Sequence, residues 1–116
     1  ICILVDDIID TGGTLIKATD LLLQNGASEV HSYITHSVLS GDALKNIQNS
    51  KMKSLVVSDS IQETKESKKC KKIRTIPVAP LIAQAMLNIS QKSSVSSLFK
   101  SETLEPIYEA HYPVKS

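Results

Sequence analysis

Net charge, cysteine and long apolar runs are all scarce in this chain. Its 13 basic and 12 acidic residues leave a formal net charge of +1. That balance gives no reason to propose a nucleic acid or a membrane surface as partner. No apolar run is long enough to span a bilayer, and no signal-peptide pattern stands at the front. The two cysteines, Cys2 and Cys70, have neither metal-ligand nor CxxC spacing. Both read as free thiols in a reducing compartment, and the cytoplasm is the expected location. There is no initiator Met, and the first residues already belong to an apolar run. The expectation is therefore a fragment, the carboxy-terminal part of a longer protein. With 116 residues, 41% of them hydrophobic, one modest core is possible.

What is present is concentrated in Ile1 to Thr14, ICILVDDIIDTGGT. Ile1 to Val5 is apolar and β-prone, and reads as a strand buried on both faces of a parallel sheet. Asp6, Asp7 and Asp10 follow, and then the small-residue run Thr11-Gly12-Gly13-Thr14. Beyond it the pattern becomes helical. In open α/β sheets, ligands sit outside the carboxyl ends of the strands. A helix opening there presents free N–H groups, and its dipole favours an anion. The two glycines permit close backbone approach, and the threonine hydroxyls add donors. Together these make a cradle for one phosphate.

A Walker P-loop is excluded, because that motif needs a Lys after its second Gly and Thr14 stands there. The first Lys is Lys17. Asp6 and Asp7 would repel a polyphosphate, but carboxylates accept well from hydroxyls. A ligand with a phosphate at one end and a vicinal diol at the other suits both halves. The simplest is a ribose 5-phosphate group.

Helical spacing of Leu15, Ala18 and Leu22 predicts a first helix from about Thr14 to Gln24, stopped by Asn25-Gly26. Glu29 to Thr35 reads as a strand, His36 to Gly41 as a loop and Asp42 to Gln48 as a second helix. Ser54 to Ser58 is a third strand. Ile61 to Lys72 holds five of the 13 basic residues and reads as a solvated segment. Ile73 to Val78 is a fourth strand, and Pro80 opens a third helix. Lys92 to Ser116 lacks sustained periodicity and contains Pro106 and Pro113. The domain is expected over residues 1–100, with 101–116 a tail that packs on a neighbour or frays. This order implies an α/β, Rossmann-like, largely parallel sheet with helices on both faces.

VDDIIDTGGT resembles the phosphoribosyl-binding loop of type I phosphoribosyltransferases and of ribose-phosphate diphosphokinases (PRPP synthetases). The resemblance to the second family extends over about Ile1 to Phe99. Thr35-His36-Ser37-Val38-Leu39-Ser40-Gly41 resembles its THG-hydrophobic-hydrophobic-SG segment. Ser58-Asp59-Ser60-Ile61 resembles T-D/N-T-I-P, and Cys70 with Lys72-Ile73 resembles C-x-K-I. Pro80-Leu81-Ile82-Ala83 resembles the last helix, and Ser94-Val95-Ser96-Ser97-Leu98-Phe99 the S-V-S-x-L-F ending. Ser37 replaces a usual Gly, Gln62 a usual Pro and Gln84 a common acidic residue.

That resemblance implies a type I phosphoribosyltransferase-like fold and a reaction. Ribose 5-phosphate and MgATP would give 5-phosphoribosyl 1-diphosphate and AMP. The backbone of Asp10 to Thr14, with the Thr hydroxyls, would hold the 5-phosphate. Asp6 and Asp7 would hold ribose hydroxyls, directly or through Mg²⁺. Asp7 has a structural alternative, pairing with a neighbouring backbone group or Lys. Before Lys45 the only cation is Lys17; the resemblance implies that the catalytic Lys/Arg loop and the ATP-binding segments lie upstream, and no residue here matches them, so none is assigned as acid, base or transition-state cation. The fragment is expected to be inactive alone. His36 is weighed as a general base against a structural loop residue, and the structural role is favoured. Ser94, Ser96 and Phe99 match a family phosphate/ADP regulatory site at a subunit interface, with a plain polar tail as the alternative. The family implies a homo-oligomer. Two other functions stay open: a type I phosphoribosyltransferase, and a non-catalytic regulatory subunit associated with PRPP synthetase.

Overall fold

A computed structural model describes residues 1–111. The chain divides into two compact units, Ile1–Ile76 and the segment from Pro77 onward.

The first unit is a four-stranded parallel sheet in the order β1-β2-β3-β4. Its strands are β1 (Cys2–Ile9), β2 (Val30–Ser37), β3 (Ser54–Ser58) and β4 (Ile73–Ile76). Helix α1 (Gly13–Gln24) links β1 to β2, and α2 (Ala43–Asn49) links β2 to β3. Strands that follow chain order, joined by crossovers of one hand, carry their helices on one face. The two helices do touch one another. The core between helices and sheet is Ile9, Ile34, Ile47, Met52, Leu55, Val57 and Cys70. On α1 the fully buried residue is Thr19, whose hydroxyl donates to the Leu15 carbonyl at 2.9 Å.

The α/β class and the parallel sheet follow the sequence expectation. The setting of β1 does not. It is an edge strand, and Ile3 and Val5 are 59% and 78% exposed, where burial on both faces was expected. The strand also runs past Val5. Asp6, Ile8 and Ile9 pair with Ile34, His36 and Ser37, so the first two aspartates lie within the last turns of pleat.

The Lys-rich stretch is mostly exposed. Lys72 is the exception. Its ammonium donates to the Ser50 carbonyl at 2.5 Å and the Ile47 carbonyl at 3.4 Å, neutralising the negative end of α2. β4 stops at Ile76 because Pro77 has no N–H to continue the ladder.

The second unit contains α3 (Ala79–Ser90), a 3₁₀ turn over Ser96–Phe99, and α4 (Ser101–His111). Pro80 lies in the first turn of α3, where its missing N–H costs nothing. The segment expected as an aperiodic tail is helical from Ser101, with Pro106 inside the helix. Leu104, Ile107 and Tyr108 are part-buried at helical spacing, and the Tyr108 hydroxyl donates to the Pro77 carbonyl at 3.1 Å. That anchorage offsets a proline which, read alone, signals a helix break. Residues 112–116 of the expected tail lie outside the described residues.

Candidate functional site

The site is built where β1 turns into α1. Gly12 precedes the helix with φ 79° and ψ 0°, a left-handed conformation that other residues adopt only with strain. Gly12 is buried, and a Cβ on it would meet Ile9, Ile47 and Ile16 at 3.6–3.9 Å. Its role is to turn the chain against the core. Gly13 is exposed, and a Cβ there would have the Thr11 hydroxyl, at 3.9 Å, as its nearest neighbour. Its role is to leave the mouth of the turn open.

No side chain caps α1, and the Ile16 N–H bonds the Gly12 carbonyl at 3.0 Å. The N–H groups before Ile16 have no acceptor within the helix. They open onto a cleft of about 350 Å³ bordered by Asp6, Asp10 and the Thr11–Thr14 turn. Polar groups thus ring one end of the cleft. Leu4, Ile8 and Ile9 supply its apolar wall. Among the described residues no Lys, Arg or His lines it.

The three aspartates differ in what holds them. Asp6 accepts the Asp7 N–H at 2.9 Å. Asp7 takes part through its backbone, and the ion pairs among the described residues engage Glu29 rather than either aspartate. Of the structural alternatives for the Asp7 side chain, a neighbouring backbone group or a Lys, no Lys ion pair is found among the described residues. Asp10 accepts a short hydrogen bond from the Ser40 hydroxyl.

The loops after β2 and β3 come to the same sheet edge, joined by a small network. The Ser58 hydroxyl donates to the Thr35 carbonyl at 2.7 Å, and the Ser60 hydroxyl to the same carbonyl at 3.2 Å. Ser60 N–H bonds Ser58 Oγ at 3.1 Å. His36 Nδ1 lies 2.8 Å from Ser60 Oγ, which gives His36 a loop-bracing partner, a hydroxyl rather than a carbonyl.

The predicted residues Asp6, Asp10, Thr11, Gly12, Gly13 and Thr14 are thus brought together around one cleft. Ser94, Ser96 and Phe99 belong to the second unit. The hydroxyls of Ser94 and Ser96 are 2.9 Å apart, and the Ser94 carbonyl accepts the Asn88 amide at 2.8 Å. Phe99 is 89% exposed. Ser40 was not singled out as a site residue from sequence. The available signal was its place in a Ser-Gly pair after a strand, where Gly41 has φ 58°.

A metal cage is not part of this picture. No group of three or more His, Cys, Asp or Glu converges to hold an ion among the described residues. Mg²⁺ does not require one. It binds through one or two carboxylates, completing its shell with water and phosphate oxygens, and exposed Asp6, on the border of the cleft, fits that donor set. Among the described residues no helix is long and apolar enough to cross a membrane.

Comparison with known proteins agrees with the geometry. The chain is 57% identical over 111 residues to the ribose-phosphate pyrophosphokinase of Cereibacter sphaeroides, covering 96% of this chain and 33% of that one. It is 54% identical over 98 residues to the enzyme of the same name from Bradyrhizobium diazoefficiens, covering 84% of this chain and 31% of the relative. The chain therefore spans about a third of the length of these relatives. The crystal structure of phosphoribosylpyrophosphate synthetase from Mycobacterium smegmatis superposes with a TM-score of 0.74 at 32% identity, over 79% of this chain and 30% of that one. A domain family also matches, from the first strand through both the turn and the Ser-rich ending. On that match, over residues 1–100, the chain belongs to the phosphoribosyl synthetase-associated domain family.

Proposed function

We propose that this chain carries the ribose 5-phosphate loop of a ribose-phosphate diphosphokinase. The observation that carries this reading is the open, uncapped start of α1 at one end of a cleft whose other polar border is Asp6. A sugar phosphate has an anion for the first and hydroxyls for the second. The names of the relatives support the same substrate.

In this reading the N–H groups of the Thr11–Thr14 turn and the two threonine hydroxyls bind the 5-phosphate. The helix dipole adds to their attraction. Asp6 accepts hydrogen bonds from ribose hydroxyls, with Asp7 beside it. Bound Mg²⁺ would supply charge neutralisation between the carboxylates and the phosphate oxygens of ATP. The residues of this chain thereby orient the anomeric hydroxyl for in-line attack on the β-phosphorus, with AMP leaving. That is catalysis by positioning. The cations that diphosphoryl transfer requires are not supplied by the lining of this cleft.

The exposed apolar residues of edge strand β1 support a further part of the proposal, that the protein works as a homo-oligomer. Ser94, Ser96 and Phe99 are proposed as contacts of a regulatory phosphate or ADP, supported by paired hydroxyls beside an exposed ring. The cytoplasm is the proposed location.

The test is AMP formation by the full-length protein. Release of AMP from MgATP that depends on ribose 5-phosphate is the expected result. If the protein instead consumes 5-phosphoribosyl 1-diphosphate with a nucleobase and releases diphosphate, it is a phosphoribosyltransferase. Ribose 5-phosphate binding without either reaction marks a regulatory subunit.

A further inference from the structure

We infer that Ser40 is a positioning residue of the sugar-phosphate site, holding the Asp10 carboxylate off the anion-binding turn. The inference rests on the ribose 5-phosphate reading above and concerns what sets the affinity for the 5-phosphate.

Asp10 presents a problem to an anion site. It comes directly before the turn and borders the same cleft. A carboxylate close to a phosphate repels it. It also competes with it. Asp is among the preferred side chains for capping a helix start, and it bonds readily to the N–H groups two or three residues on. From Asp10 those are the N–H groups of Gly12 and Gly13, part of the turn that the phosphate needs. An unrestrained Asp10 would occupy the cradle as an internal anion.

It does not do so here. No side chain caps α1, and Asp10 Oδ1 instead accepts the Ser40 hydroxyl from 30 residues further along the chain. Ser40 can hold it because the Ser40 segment is itself pinned. The N–H groups of Val38 and Leu39 both donate to the Ile9 carbonyl, at 3.0 and 3.2 Å. Ser40's own carbonyl accepts the Ala43 N–H at 3.1 Å. Leu39 has φ 53°, a left-handed conformation that a leucine keeps only when its surroundings fix it. Its side chain packs against the core cluster, which supplies that fixing. The β2–α2 loop is therefore anchored by backbone bonds to the end of β1, by a partly buried side chain on the core and by the Ser40–Asp10 contact. The first two set the place of the third.

The test is ribose 5-phosphate affinity by calorimetry on the full-length protein, with the thermal midpoint of each variant recorded. Ser40→Ala is expected to weaken binding about tenfold, the scale of one lost charge-assisted hydrogen bond. Ser40→Thr keeps the hydroxyl and is expected to bind like the parent. The decisive variant is the double substitution Ser40→Ala with Asp10→Ala, since Asn would still cap the helix start. It removes the competing charge and is expected to recover most of the lost affinity. A purely structural role for Ser40 would leave the double variant as weak as the single one, and that result overturns the inference. Parent-like affinity in Ser40→Ala overturns it too. If Ser40→Ala fails to fold, Asp10→Ala alone decides: binding at least as tight as the parent's is expected, and weaker binding overturns the inference. A parent protein that does not bind ribose 5-phosphate defeats the reading of the site and this inference together, so the two failures are told apart.

Discussion

The imidazole Nδ1 of His36 lies 2.8 Å from the hydroxyl oxygen of Ser60, across the gap between the ends of β2 and β3. The Ser60 hydroxyl also reaches the Thr35 carbonyl at 3.2 Å. The ring so placed links the end of β2 to the loop after β3. His36→Ala is expected to cost up to about 1 kcal/mol of stability, measured by urea unfolding, and to leave ribose 5-phosphate affinity essentially unchanged. A large loss of affinity at unchanged stability would assign His36 to the site.

Glu29 gives a prediction about acid. Hydrogen bonding from Lys53, then from His31, with the Lys53 charge adding to both, lowers its pKa below the usual carboxylate value of 4.5. Because the folded pKa is the depressed one, the stabilisation is present above the unfolded pKa and is lost as pH falls through the folded one. The thermal midpoint is expected to decline through that acid window. Glu29→Gln is expected to flatten that part of the decline. An identical acid slope in the variant would refute the assignment.

Ser32 lies fully buried on β2 between Leu4 and Leu55 in the sheet register. Its hydroxyl has no partner among the described residues. A buried hydroxyl left unpaired costs about 1–3 kcal/mol, and alanine removes that cost while losing some strand preference. Ser32→Ala is expected to be more stable by about 1 kcal/mol in urea unfolding. A loss of stability of that size would mean the hydroxyl is paired.

The 116-residue chain by itself is expected to form no AMP from MgATP and ribose 5-phosphate, because no cation lines the cleft among the described residues. Ribose 5-phosphate-dependent AMP release by the purified chain would show that the cations come from within it.

Much of this was legible in local pattern. Helix α1, strand β3 and the cradle itself are each written in consecutive residues, where apolar spacing and a Thr/Gly run carry the information. The misreadings came where distant residues decide. The continuation of β1 through Asp6 to Ile9 depends on pairing with Ile34 to Ser37, which no window around the aspartates contains. Pro106 reads as a breaker until Tyr108 is seen to reach Pro77. The exposure of Ile3 and Val5 depends on strand order, not on their hydrophobicity. The bond that restrains Asp10 joins residues that no periodicity relates.

The central claim is that the open start of α1 binds the 5-phosphate, and the two glycines of the turn separate binding from folding. Gly12 has positive φ and is buried, so substitution there strains the fold itself. Gly13 has no such strain, and a Cβ there would make only an ordinary contact with the Thr11 hydroxyl at 3.9 Å. The most direct measurement is calorimetric titration of the full-length Gly13→Val variant with ribose 5-phosphate. Its thermal midpoint is expected to stay close to the parent's while ribose 5-phosphate affinity falls by at least about tenfold, because the side chain obstructs backbone approach. Parent-like affinity in a normally folded Gly13→Val protein would contradict the claim.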